Sequence, residues 1–141
     1  MNLLRFSYMT STASSVPEPS IRARLRVVCG NRDAFGPGKA QLLEELSRTG
    51  SLNKASKALN MSYMKAWTLV KAMNEHFVEP LVSLSRGGIK GGGAELTETG
   101  QEVLRAYHQM RREVEAAAEG DQWRTIKSLL RPLATPTEGL A

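Results

Sequence analysis

The chain has 141 residues, with 19 Lys+Arg against 14 Asp+Glu and a net charge of +5. That length fits one domain, or a small domain with tails, and excludes large enzyme folds such as a complete barrel of ~250 residues. Hydrophobic content of 41% and charged content of 23% suit a globular protein with a modest core.

The charge is informative once it is located. Residues 46–74 contain Arg48, Lys54, Lys57, Lys65 and Lys71 and no acid, which is +5 in one stretch. Residues 1–45 carry +2 and residues 75–141 carry −2, so they cancel. A local positive field points to a polyanionic partner more than a diffuse one does; a solvated basic face is the alternative. The single cysteine, Cys29, excludes an internal disulfide. No apolar run approaches the ~18 residues that span a membrane. Met1 to Tyr8 is too short and too polar for a secretory signal, so a cytoplasmic location is expected. Either Met1 or Met9 can serve as the start.

Residues 1–20 include a Ser/Thr/Pro-rich run and are expected to be disordered. Order is expected from Ile21. There Ile21, Ala23, Leu25, Val27 and Cys29 alternate with Arg22, Arg24, Arg26 and Val28. This predicts a strand with one buried face, with Cys29 packed on it and the arginines on the other. Gly30 to Gly38 reads as a turn region, and Pro37 suits a helix start. A helix over Lys39–Arg48 would turn Leu42, Leu43 and Leu46 inward and end at a left-handed Gly50.

Ser51 is a candidate N-cap for a second helix running to about Leu59. Leu52, Ala55 and Leu59 share its inner face, while Lys54 and Lys57 lie outside. Asn60 and Met61 form a turn, and Ser62 can cap a third helix reaching about Phe77. Two short helices joined by a tight turn, with Ala55 and Ala58 permitting close approach, predict a helix-turn-helix. At 100° per residue Ala66, Val70, Met73 and Phe77 form the third helix's core face. Met64, Thr68, Lys71 and Glu75 lie opposite, with Lys65 and Trp67 on the flanks. In a major groove, Met64, Lys65, Thr68 and Lys71 would meet DNA: lysines on phosphate, Thr68 and Met64 on base edges or a thymine methyl. Trp67 is expected to pack at the helix flank.

Pro80 closes this unit, and Leu81–Ser85 can form a strand. The run from Arg86 to Ala94, with Gly87, Gly88, Lys90, Gly91 and Gly92, leads into a second strand ending at Leu96. A glycine-rich hairpin tip with two cations and no acid suits a DNA-contacting wing. A nucleotide-phosphate loop would need a Gly-Lys-Ser/Thr ending and a parallel βαβ unit. Thr97 is then an N-cap, with Thr99 and Glu102 as an alternative capping box. The helix from Glu98 to Ala118 carries Val103, Tyr107, Met110, Val114 and Ala117 at heptad spacing, a seam expected to pair with a second copy of the chain. Asp121 can cap a last short helix with Trp123, Ile126, Leu129 and Leu130 apolar; Pro132 ends it before a tail.

The residues Gly50 and Ser51, Met61 to Trp67, Ala72 to Asn74, Glu79 to Val82 and Gly87 to Thr97 resemble the N-terminal DNA-binding domain of the molybdate-responsive ModE-type regulators. The resemblance covers about residues 21–118. The helix-turn-helix and the run Leu96 to Gly100 would also fit LysR-type regulators. It implies a winged helix-turn-helix that dimerises through its long helix, binds a palindromic operator and controls molybdate transport or molybdenum enzymes. By position, Ser62, Tyr63, Lys65 and Trp67 fall in the recognition-helix motif and Gly87 to Gly93 in the wing. Met64 stands where a basic residue is frequent, and Lys90 where another glycine is common. Only 23 residues follow Ala118, so no molybdate site can be argued from this chain; a separate molybdate-binding protein is the alternative.

The expectation is therefore a mainly α fold with a small β-wing. It divides into residues 1–20, a winged helix-turn-helix over 21–96, a dimerisation helix and short terminal helix over 97–131, and a tail from 132. Its partners are double-stranded DNA and a second copy, with no membrane, cofactor, metal or catalytic residue. His76 and His108 lie on different helices without a metal-ligand pattern. A partner-binding adaptor using the long helix is the competing reading.

Overall fold

A computed structural model describes residues 17–86 and 93–132, in two compact units. One comprises Arg22–Ala118; the other joins the chain up to Ile21 with Glu119–Ala141.

Within the first unit, helix α1 spans Pro37–Thr49, with Pro37 in its first turn. Its ring fixes φ near the helical value, and its missing N–H is not needed there. Ala40, Leu42, Leu43 and Leu46 are buried. Gly50 ends the helix at φ 64°, donating its N–H to the Leu46 carbonyl at 2.8 Å. Helix α2 spans Leu52–Ala58, and α3 spans Tyr63–His76. Both begin as expected: Ser51 Oγ accepts from Lys54 N, and Ser62 Oγ from Lys65 N. Asn60, at φ 52°, makes the turn between them.

The crossing of α2 and α3 differs in one residue from expectation. Ala55 and Ser56 are buried, while Ala58 is exposed. The second small buried residue of α2 is therefore Ser56, whose hydroxyl donates to the Asn53 carbonyl at 2.8 Å and so stays satisfied. Ala66, Val70 and Met73 complete the buried face of α3.

Strands β3 (Val82–Leu84) and β4 (Ala94–Leu96) pair antiparallel, with Val82 opposite Leu96 and Leu84 opposite Ala94. Asn74 of α3 clamps the root of this hairpin. Its Oδ1 accepts from Leu81 N at 2.9 Å and Val82 N at 3.1 Å, and its Nδ2 donates to Val82 O at 3.0 Å. Ala94 N donates to Gly50 O at 3.0 Å, tying β4 to the end of α1. Gly87, Gly88, Lys90, Gly91 and Gly92, expected at the wing tip, lie outside the described residues.

Helix α4 spans Glu98–Ala117, capped by Thr97, whose Oγ1 accepts from Gly100 N at 3.0 Å. Thr97 rather than Thr99 is thus the cap. A Cβ on Gly100 would sit 2.1 Å from the Leu81 carbonyl oxygen, so only glycine fits there. The heptad seam does not stay together. Val103 packs against the domain core, and Tyr107 is 4% exposed within it. The Tyr107 ring meets Phe35 edge-on at 5.1 Å, and its hydroxyl donates to Leu25 O at 2.9 Å. Val103 and Tyr107 are therefore corrected from partner-facing to core residues, because α1 and the N-terminal chain already cover that half of the helix. Met110, Val114 and Ala117 remain exposed. Where the sequence pattern divided 21–96 from 97–131, α4 folds into the same unit as the helix-turn-helix.

The expected strand from Ile21 is also corrected. Regular pairing is confined to β1 (Val27–Cys29) and β2 (Arg32–Phe35), a hairpin turning at Gly30. Ala23 and Leu25 are half-buried between exposed arginines, so the alternation is real. What covers it is α4 rather than a sheet: Ala23 N donates to Glu115 Oε1 at 2.8 Å. A period of two reports an extended chain with one covered face, whatever the cover. Cys29, beyond the covered stretch, is exposed. Arg26 pairs with Asp33 across the hairpin.

In the second unit, α5 spans Asp121–Leu129 with Gly120 as N-cap, so Asp121 is inside the helix and pairs with Arg124. Ile126, Leu129 and Leu130 are exposed. Lys127 Nζ lies 3.2 Å from Glu18 Oε2.

Candidate nucleic-acid interface

The second helix of the pair presents its outer face to solvent. Tyr63 and Met64 are 51% and 65% exposed, and Lys65, Thr68 and Lys71 are exposed beside them. The same stripe geometry that buries Ala66, Val70 and Met73 sends these side chains outward. Ser62 is exposed, but its hydroxyl is used as the cap. Lys54 and Lys57 stand exposed on α2.

Of the five cations between residues 46 and 74, Arg48 is partly neutralised by Glu45, with Nη2 2.5 Å from Oε2. Lys54, Lys57, Lys65 and Lys71 form no ion pair among the described residues. The uncompensated charge is thus four lysines around the turn and α3. Lys71 Nζ lies 5.5 Å from the Trp67 ring centroid, a distance at which the ring's negative face attracts the ammonium.

Between α3 and the hairpin root lies an open cleft of about 550 Å³, lined among others by Ser51, Asn53, Tyr63, Trp67, Ser85 and Arg86. Arg86 is therefore brought to the helix-turn-helix, joining α2, α3 and the wing base in one surface. Trp67, expected to pack at the flank, is instead 38% exposed and walls this cleft. Asn53 and Ser85 had no periodic signal. They reach the cleft because the hairpin root is held to the end of α1 through Gly50 and to α3 through Asn74. Ser51 carried a signal as a cap, but none as a cleft residue.

A helix of 14 residues with an exposed, basic outer face is ~21 Å long and can enter a major groove ~12 Å wide. Lysines on either side then reach phosphates, and a hairpin at the helix's flank follows the neighbouring strand.

The family model for bacterial regulatory helix-turn-helix proteins of the LysR family matches residues 38–101. The molybdenum transport protein ModE of Azotobacter vinelandii is 36% identical over 86 residues, covering 61% of this chain and 32% of that protein. The molybdenum-pterin-binding protein MopB of Rhodobacter capsulatus is 40% identical over 73 residues, 52% of this chain and 27% of that protein. The dual regulator ModE of Escherichia coli is 35% identical over 71 residues, 50% of this chain and 27% of that protein. Over residues 38–101 the chain is similar to a bacterial regulatory helix-turn-helix domain. The chain spans about a third of the length of the curated relatives it matches. The matched residues 38–101 take in α1 to α3, the β3–β4 strands and the start of α4, the elements that carry the exposed lysines, the cleft and its clamps.

Proposed function

We propose that this chain is a sequence-specific DNA-binding transcription regulator of the ModE type, acting as a homodimer on a palindromic operator. The observation that carries it is the single surface formed by the outer face of α3, four lysines without acidic partners among the described residues, and Arg86 at the wing base. Lys54, Lys57, Lys65, Lys71 and Lys90 hold phosphates, and Met64 and Thr68 face the bases. The exposed half of the seam, Met110, Val114 and Ala117, supports pairing of two α4 helices, which would set the spacing of two half-sites. A role in molybdate transport or molybdenum metabolism rests on the names of the relatives. No helix of the described residues is long and apolar enough to cross a membrane.

The test is selection of bound DNA from a random pool, with and without molybdate, followed by titrations at several salt concentrations. With ~6–10 phosphate contacts, affinity falls by about 10³–10⁵ between 50 and 200 mM salt. Lys71→Ala weakens binding to every sequence and lowers the slope by about one per protomer. Salt-independent binding would overturn the electrostatic part. A monomer in equilibrium sedimentation, with DNA bound as a monomer, would overturn the dimer.

A further inference from the structure

The chemistry of the recognition face differs from that of most base-reading helices. Between Tyr63 and Lys71 the exposed residues of α3 are Tyr63, Met64, Lys65, Trp67, Thr68 and Lys71. None is Asn or Gln, which grip adenine with two hydrogen bonds, or Arg; of the side chains that can pair with guanine in that way only Lys65 and Lys71 are present. Asn74, further along, is held by its three bonds to the wing root. The Lys71 ammonium leans over the Trp67 ring. At the centre of the face stand Met64, 65% exposed, and Thr68, one helical turn on. Thr68 donates its hydroxyl hydrogen to the Met64 carbonyl at 2.8 Å. With its donor used, what it has left for a partner is its γ-methyl and the acceptor lone pairs of Oγ1. Met64 and Thr68 together make a small apolar platform in the middle of a basic surface.

An unbranched thioether is flexible and polarizable, and it moulds to an apolar partner without needing a fixed donor geometry. In the major groove the one apolar group on a natural base edge is the thymine 5-methyl. We propose that α3 reads its site chiefly through pyrimidine 5-methyl groups held against Met64 and the Thr68 methyl, so that thymine and 5-methylcytosine are favoured and uracil and cytosine are not. This inference rests on the DNA-binding reading above and adds the chemical group that is recognised. Lysines on the flanks supply affinity. The methyl platform supplies the preference.

The experiment uses the full chain and the DNA selected from a random pool. Each thymine of the selected site is replaced in turn by deoxyuridine, which removes only the methyl, or by 5-methylcytosine paired with guanine, which keeps it. The expected result is a loss of about four-fold per contacted methyl on going to uracil, the burial of one methyl group. At those positions 5-methylcytosine binds better than unmethylated cytosine. In Met64→Ala, and separately in Thr68→Ser, which keeps the hydroxyl and deletes only the methyl, the thymine-to-uracil ratio at the matching position falls towards one. A variant that merely weakened the fold would lower both affinities and leave that ratio intact. Equal binding of uracil and thymine sites, or a selected site with no thymine under α3, overturns the methyl readout while leaving DNA binding standing. Selection that enriches no sequence at all overturns both.

Discussion

Replacing Asn74 by alanine is the sharpest probe of how the wing is held. The side chain satisfies two backbone N–H groups, of Leu81 and Val82, and binds one carbonyl, of Val82, all within 2.9–3.1 Å. Leu81 and Val82 are buried, so water reaches their amides poorly once the amide oxygen is gone. Each buried donor left without a partner costs about 1–3 kcal/mol. Asn74 itself is half-buried, which admits some solvent to the gap. The lower part of the summed range applies, about 2–4 kcal/mol, a large share of the ~5–15 kcal/mol typical of a domain. For a unit of this size such a loss lowers Tm by about 10–20 °C. Urea and thermal unfolding followed by far-ultraviolet circular dichroism measure it. Asn74→Asp is the control: it keeps the acceptor for both N–H groups but turns the bond to Val82 O into an oxygen–oxygen repulsion, which protonation below the carboxyl pKa relieves, so its deficit should shrink at low pH while that of alanine does not. Stability of the alanine variant within about 0.5 kcal/mol of the parent, the scatter of surface substitutions, would refute the clamp.

Gly100→Ala places a methyl 2.1 Å from the Leu81 carbonyl oxygen; because the obstacle is backbone, α4 must shift, and the expected outcome is a loss of several kcal/mol or failure to fold, read by the same unfolding curves. Tyr107 gives a pH signature. Burial raises its pKa above the ordinary 10.0, against the opposing pull of Arg111 and Arg24. The folded state thus holds the phenolic proton more tightly than the unfolded one, so its stabilisation is whole below pH 10.0 and is lost as pH rises through the folded value. Tyr107→Phe should be less stable near neutrality by about 1 kcal/mol, from the lost bond to Leu25, and its stability should decline less steeply above pH ~10. Ser62→Ala removes the acceptor for Lys65 N and should cost about 1 kcal/mol, with a parallel loss of DNA affinity if the first turn of α3 frays.

The parts of this protein that were legible in its sequence are those governed by neighbours along the chain. Ser51, Ser62 and Thr97 cap their helices because a short hydroxyl beside three free N–H groups is a local arrangement. Gly50 is left-handed for an equally local reason. The inward stripe of α3 followed from angular periodicity alone. What could not be read were relationships across the chain. Nothing local distinguishes the half of a heptad seam that meets Phe35 and Leu25 from the half left outside, so Val103 and Tyr107 looked like Met110 and Val114. Residues 22–26 alternate as a strand would, because α4 covers one side. Cys29 belonged to the same alternation but lies past the cover. At the candidate site, the outward residues of α3 were legible, whereas the placement of Trp67, Asn53 and Ser85 in one cleft needed the anchoring of the hairpin root.

The root of the β3–β4 hairpin is sutured to three different helices: to α1 through the Gly50 carbonyl, to α3 through Asn74, and to α4 through the close approach of Gly100 and the Thr97 hydroxyl on Pro80 O. The hairpin residues named in those sutures are Pro80, Leu81, Val82, Ala94 and Thr97, on either side of Arg86–Gly93. Length and composition between Arg86 and Gly93 can therefore drift without disturbing the frame that aims α3. A protein built this way separates the inheritance of its scaffold from the inheritance of its target. New binding preferences can be tried at the loop and at Met64 while Gly50, Asn74 and Gly100 stay fixed, and a screen of loop sequences grafted onto an unchanged root should return folded proteins far more often than one that varies the three anchors.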